Sequence, residues 1–196
     1  MLRIGITGGI GSGKSTAARI FNVLGIPVFS SDDAAKRLMN EDEDLKKKIT
    51  GSFGAESYVN GELNRKYIAH VAFSDPKKIE LLNSIVHPAT IKYAISWMKK
   101  QDAPYVIKEA ALIFESGSNQ YLDYVIGVKC PLSLRIERTM ERNNVSEEEV
   151  KARMKLQMDE DKKMNLCDFI IVNDEKQMLI PQVLSLHKKF SGKEKV

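Results

Sequence analysis

The stretch Gly8-Gly9-Ile10-Gly11-Ser12-Gly13-Lys14-Ser15 constrains this chain more than any other. It follows a short apolar run, Leu2-Arg3-Ile4-Gly5-Ile6, and opens into Thr16-Ala17-Ala18-Arg19-Ile20-Phe21, whose apolar residues recur at helical spacing. Strand, glycine-rich loop and helix, in that order, are the setting that a phosphate-binding loop requires. Glycines let the backbone curl so that successive N–H groups point at phosphate oxygens, and the helix that follows adds its positive dipole end. In such a loop Gly9, Ile10, Gly11, Ser12, Gly13, Lys14, Ser15 and Thr16 make the nucleotide cradle. Lys14 reaches the β- and γ-phosphates, and the Ser15 hydroxyl enters the Mg²⁺ shell. A glycine-rich turn that merely joins a strand to a helix would need neither the lysine nor the hydroxyl. The spacing therefore predicts a nucleoside triphosphate site.

The rest of the chain supplies a sheet for that loop. Val28-Phe29, Tyr105-Val106-Ile107-Lys108, Tyr124-Val125-Ile126-Gly127-Val128 and Phe169-Ile170-Ile171-Val172 are apolar runs separated by helical stretches. With the first run they predict a five-stranded parallel sheet covered by helices on both faces, a three-layer α/β/α arrangement. Strand signals vanish over 41–100, which reads as a mostly helical insertion between the second and third strands. In it, Tyr58 to Leu63 forms a turn or short hairpin around Asn60-Gly61, Asn64 caps a helix, and His87-Pro88 marks a bend before a new helix. Tyr93 and Trp97, at helical spacing, are expected in the core. The charged stretch 132–166 is helical, with Ser146-Glu147-Glu148-Glu149 as a helix start, and Met178 to Phe190 closes the chain as an amphipathic helix. The domain expectation is a nucleotide-binding core of 1–40 and 101–196, containing a lid near 138–166, with 41–100 as the insertion.

A chain of 196 residues has room for one well-cored domain with such additions. Its net charge of +4 is dispersed, which suits anionic small molecules and argues against a nucleic-acid partner. Lys188-Lys189 and Lys193-Glu194-Lys195 are expected to be a solvated tail. Cys130 and Cys167 stand far apart without a neighbouring CxxC or histidine pair, as free thiols in a reducing compartment do. The N-terminus enters a strand at once and no apolar run approaches a membrane span, so a cytoplasmic protein without membrane association is expected.

Three further groups carry candidate chemistry. Arg138 and Arg142 lie four apart on one helix, where two guanidinium forks would clamp phosphates; the alternative is a surface pair bridging to Glu137 or Glu141. Glu109 ends the third strand, placed to hold Mg²⁺ through water or to cap the next turn. Asp32, after the second strand, is either a helix cap or a general base, since ligands bind at the carboxyl ends of parallel strands.

Taken together these elements resemble the dephospho-coenzyme A kinases. The likeness covers Ile6-Thr7-Gly8 through Thr16, Gly25-Ile26-Pro27-Val28 with Asp32, Gly61-Glu62-Leu63-Asn64-Arg65, and His87-Pro88. It continues through Glu109-Ala110-Ala111-Leu112-Ile113-Phe114-Glu115, Arg138 with Arg142, the lid glutamine Gln157, and Asn173 beside the adenine. The resemblance implies a P-loop kinase fold with a helical acceptor-binding insertion and a helical lid. It implies transfer of the ATP γ-phosphate to the ribose 3′-hydroxyl of dephospho-CoA, with Mg²⁺ as cofactor, ATP and dephospho-CoA as partners, and a monomer or weak homo-oligomer. Asp32, Lys14 and Arg142 would be catalytic. Arg138, Arg142 and Asn173 would join the loop in binding ATP, and Asp32, Arg65, His87 and Glu109 would bind the acceptor. The chain departs from the pattern at Ser30, where the family has a first carboxylate, at Ala111 in place of proline, and at Glu160 in place of a lid arginine.

Other classes fit less well. A nucleoside or nucleotide kinase of the same fold would differ only in acceptor. A GTP-dependent switch would carry Asn-Lys-x-Asp, where this chain reads Val172-Asn173-Asp174-Glu175. A nucleic-acid-linked ATPase would want a denser basic patch.

Overall fold

The computed structural model describes residues 1–192, so Lys193-Glu194-Lys195 of the expected tail lie outside it. In chain order the strands and helices are β1 (Leu2–Thr7), α1 (Lys14–Val23), β2 (Val28–Ser30), α2 (Ser31–Glu41), α3 (Glu43–Phe53), β3 (Tyr58–Val59), β4 (Glu62–Leu63), α4 (Arg65–Phe73) and α5 (Pro76–Lys99). They continue with β5 (Tyr105–Glu109), β6 (Tyr124–Lys129), α6 (Leu132–Asn143), α7 (Glu147–Met154), α8 (Glu160–Asn165), β7 (Phe169–Val172) and α9 (Leu179–Phe190).

The chain forms two compact units, one of Met1–Ser30 with Met98–Val196 and one of Ser31–Trp97. These boundaries differ from the 41 and 100 that composition suggests. Helix α2 packs with α3 and β4, so its half-apolar stripe joins the helical unit rather than the sheet.

In the first unit five parallel strands stand in the order β2-β5-β1-β6-β7. The sequence order reverses around β1, which puts its carboxyl end at the switch point where open α/β sheets bind ligands. Every residue of β5 is buried, as are the last four of β1, which is why these strands read as unbroken apolar runs. One sheet face carries the main core, where Ile4, Ile6, Ile107, Ile126 and Ile171 meet Ala17 and Phe21 of α1 and Val183 and Phe190 of α9. Phe190 makes edge contacts with Tyr105 and Phe169, at centroid distances of 5.6 and 5.3 Å. On the other face Ala110, Ile113 and Val125 gather Phe114, Leu122 and Cys167. Gly5 admits this layer, because a Cβ there would lie 2.7 Å from Leu122 Cδ1.

Lys108 is an exception to the apolar reading of β5. It pairs in register with Gly5 and Phe29, is only 4% exposed, and its side chain makes no hydrogen bond or ion pair with the described residues. Burial pushes its amine down to about 8. Burial likewise raises both thiols, Cys167 to about 12, which keeps them protonated and poor metal ligands.

The second unit packs Leu45, Ile49, Phe53, Ile68 and Val86 into its own core. Its β3–β4 hairpin turns at Asn60-Gly61, both with positive φ (52° and 82°), the geometry of a two-residue hairpin turn. Asn64 Oδ1 caps α4 by accepting from Tyr67 N at 3.2 Å. The expected bend at His87-Pro88 does not end a helix: α5 runs through Pro88 unbroken. Burial of Val86, Ala94 and Met98 on both sides of the proline outweighs the one backbone hydrogen bond it cannot donate. The expectation of Tyr93 and Trp97 in the core is also corrected. Ala94 and Met98 take the buried positions, and Tyr93 instead lies under the Arg37 guanidinium, 4.9 Å from its ring centroid, and accepts a hydrogen bond from it.

Candidate active site

The phosphate loop leaves β1 at Thr7 and enters α1 at Lys14. Gly11 (φ 78°) and Gly13 (φ 88°) hold left-handed conformations that L side chains rarely adopt. A Cβ on Gly11 would run into the Arg135 carbonyl and one on Gly13 into the Asn173 amide, so the loop is closed on its outer side. Gly13 caps α1 without a side-chain bond. Among the described residues, the N–H groups of Gly11, Gly13, Lys14 and Ser15 have no hydrogen-bond partner, whereas those of Ser12, Thr16 and Ala17 bond within the loop. Four unpaired donors at an uncapped helix start fit an oligophosphate.

Glu109, the last residue of β5 and 6% exposed, lies against this loop. Its Oε1 accepts from Ser15 Oγ at 2.9 Å and stands 3.8 Å from Lys14 Nζ. That contact sets a hydroxyl beside a carboxylate, an oxygen donor pair of the kind Mg²⁺ takes.

The loop is also braced from three elements. Asn173, just past β7, donates from Nδ2 to Ser12 O at 2.9 Å. Gln157 Oε1 accepts from Ile10 N at 3.0 Å. Arg135 of α6 donates from Nε to Ile10 O at 3.0 Å and pairs through Nη1 with Glu160 Oε2 at 3.1 Å. Beside them opens a cleft of about 590 Å³ lined by Cys130, Arg135, Met154, Gln157 and Glu160. Helix α8 is tied down once more by the fully buried Lys163, which donates to Ala111 O at 2.9 Å and pairs with Glu115 Oε1 at 3.0 Å. Glu115 Oε1 also accepts from Met158 N at 2.9 Å.

The arginine pair does not form the surface bridges to Glu137 or Glu141. Arg138 donates to Cys130 Sγ at 3.3 Å and to Glu175 Oε1 at 2.8 Å, not to Glu137 or Glu141. Arg142 is exposed, with its Nε on Asn143 Oδ1 at 3.2 Å. Arg135, which sequence reasoning passed over, is the arginine on the loop. Its helical spacing of three from Arg138 was the available signal, along with Glu160, the departure from the family pattern that proves to be its partner.

The remaining candidates belong to the helical unit. Asp32 is the second residue of α2, two positions beyond Ser30, whose register partner is Glu109. It is exposed, and its carboxylate makes no hydrogen bond with the described residues, so it does not cap its helix. Arg65 begins α4 and lines a groove of about 470 Å³ with Asn40, Glu62, Asn64 and Lys66. His87 is half-buried on α5.

A parallel sheet whose central strand runs into such a loop, with lysine and serine set against a strand-end carboxylate, defines a P-loop kinase. The family model for dephospho-CoA kinase matches residues 2–178. A dephospho-CoA kinase of Bacteroides fragilis is 36% identical over 186 residues, covering 94% of this chain and 91% of the relative. One of Porphyromonas gingivalis is 38% identical over 190 residues, covering 95% and 93%. The structure of the Campylobacter jejuni dephospho-CoA kinase superposes with a TM-score of 0.70 at 27% identity, covering 97% of this chain and 98% of that one. The chain belongs to the dephospho-CoA kinase family.

Proposed function

We propose that the chain transfers the γ-phosphoryl group of ATP to the ribose 3′-hydroxyl of dephospho-CoA, giving coenzyme A and ADP, by a division of labour among the residues described above. The observation that carries this reading is the Lys14–Glu109–Ser15 cluster beside four unpaired loop N–H groups, in a chain of this family.

The loop amides bind the donor's phosphates, and Lys14 offsets the charge that spreads onto the γ-phosphoryl oxygens. Ser15, with Glu109 behind it, would hold Mg²⁺. When bound, that ion would offset negative charge on the donor's phosphates. Arg138, Arg142 and Asn173 complete the nucleotide site. Arg65 and His87 bind the acceptor in the helical insertion, and the 138–166 segment acts as a lid that excludes water. Asp32 accepts the proton of the 3′-hydroxyl as that oxygen bonds to the γ-phosphorus and the bond to the β-bridging oxygen breaks. Its exposure and lack of internal partners support the role, because an ionised carboxylate is acceptor only. The enzyme acts in the cytoplasm as a monomer or weak homo-oligomer.

The test is ADP release over a panel of dephospho-CoA, nucleosides, nucleoside monophosphates and no acceptor. The expected result is magnesium-dependent release with dephospho-CoA alone and a product heavier by one phosphoryl group. Faster turnover of a nucleoside or a nucleoside monophosphate would overturn the acceptor assignment.

A further inference from the structure

The Ile10 peptide groups are gripped from outside on both sides. Gln157 takes the N–H and Arg135 the carbonyl, each at 3.0 Å. The second grip has a directional consequence. In a trans peptide the C=O of one residue and the N–H of the next point in opposite directions. Among the described residues all peptides are trans. By drawing the Ile10 carbonyl outward, Arg135 therefore turns the Gly11 N–H inward, and that N–H is one of the four without a protein partner.

Arg135 is itself fixed. It is 6% exposed, and its guanidinium is so close to the loop that a Cβ on Gly9 would overlap it and would lie 2.6 Å from Glu160 Oε2. The Arg135–Glu160 side chains are 7% and 20% exposed, so water screens this pair far less than the exposed pairs along α2 and α3. Glu160 also keeps its second oxygen, Oε1, buried without a partner, a costly arrangement for a side chain serving stability alone.

We propose that Arg135, locked by Glu160, is a positioning residue for nucleotide binding: it holds the Ile10 carbonyl so that the Gly11 N–H presents to the phosphates. The pair couples α6 and the start of α8 to the loop, and neither side chain needs to touch the nucleotide. This rests on the ATP-site reading above.

The experiment is titration of each protein with a non-hydrolysable ATP analogue and magnesium, which needs no acceptor, together with kinetics and a melting curve. Arg135→Gln with Glu160→Gln removes both charges at once and leaves no buried unpaired carboxylate. That double variant should fold, bind the analogue about tenfold more weakly, and keep its KM for dephospho-CoA within about twofold. Arg135→Lys keeps a charge for Glu160 but has no Nε at the Ile10 carbonyl, and it should show a similar loss. A folded double variant that binds the analogue as wild type does would overturn the proposal. If the double variant fails to fold, wild-type analogue affinity in Arg135→Lys would overturn it instead. Absent analogue binding by the wild-type protein would count against the proposed function itself, whereas wild-type binding with unaffected variants sinks the brace alone.

Discussion

At the scale of single residues, Asp32 and the arginines separate chemistry from architecture. Asp32→Asn keeps the side chain's shape and removes its charge. Because Asp32 accepts no N–H in its own helix, the substitution should cost only the ~0.3–1 kcal/mol of a first-turn carboxylate against the helix dipole. Loss of general-base assistance should lower kcat with dephospho-CoA by about 10²–10⁴-fold while ATP binding persists. A near-normal kcat would remove Asp32 from the mechanism. Arg142→Lys should lower kcat about tenfold if the guanidinium fork meets phosphate oxygens, since an ammonium cannot reproduce two parallel bonds. An arginine whose partner is Asn143 alone would tolerate the swap, because exposed polar pairs contribute only ~0–1 kcal/mol. Steady-state kinetics of Arg142→Lys beside Arg138→Lys decides between them.

At the scale of elements, β5 combines a functional and a costly residue in consecutive positions. Glu109 faces the phosphate loop, and Lys108, one residue earlier, points to the opposite face, where the residue is 4% exposed. A lysine whose folded pKa lies near 8, against 10.5 when free, destabilises the fold while both states are charged. Between those values the unfolded chain holds a proton that the folded chain lacks, so stability rises with pH; above them the penalty is gone. Lys108→Met should therefore raise stability by about 2–3 kcal/mol at pH 7. Its advantage over wild type in denaturant titrations should shrink as the pH climbs from 8 toward 10.5. A gap that stays constant over that range would show that the amine is solvated. Helix α7 offers a simpler case: its Ser146–Glu149 capping box was legible in four letters, since both bonds are local.

At the scale of the whole molecule, donor binding should be a property of the folded sheet unit and magnesium a property of turnover. Chelation with EDTA should abolish ADP release and leave the melting temperature of the nucleotide-free protein unchanged. Saturating ATP with magnesium, at about 100 times its Kd, should stabilise the protein by about 2.7 kcal/mol, read as a raised Tm. A nucleotide-free Tm that falls on chelation would mean a structural metal instead.

Sequence alone determined the phosphate loop, the five strands, the hairpin at Asn60-Gly61 and the caps at Asn64 and Ser146, because each depends on residues within one turn or one strand of each other. It also reached Glu109 and Asn173 as site candidates, one at a strand's end and one through the family's ordered motifs. It could not show that α2 joins the helical unit, that α5 continues through Pro88, or that Arg135 rather than Arg138 meets the loop. Those outcomes were decided by which face of a helix the tertiary core takes. Arg135 lies 125 residues from Ile10, and its partner Glu160 looks in sequence like an ordinary solvated charge. Only packing of α6 over the loop removes that pair from water and turns it into a brace.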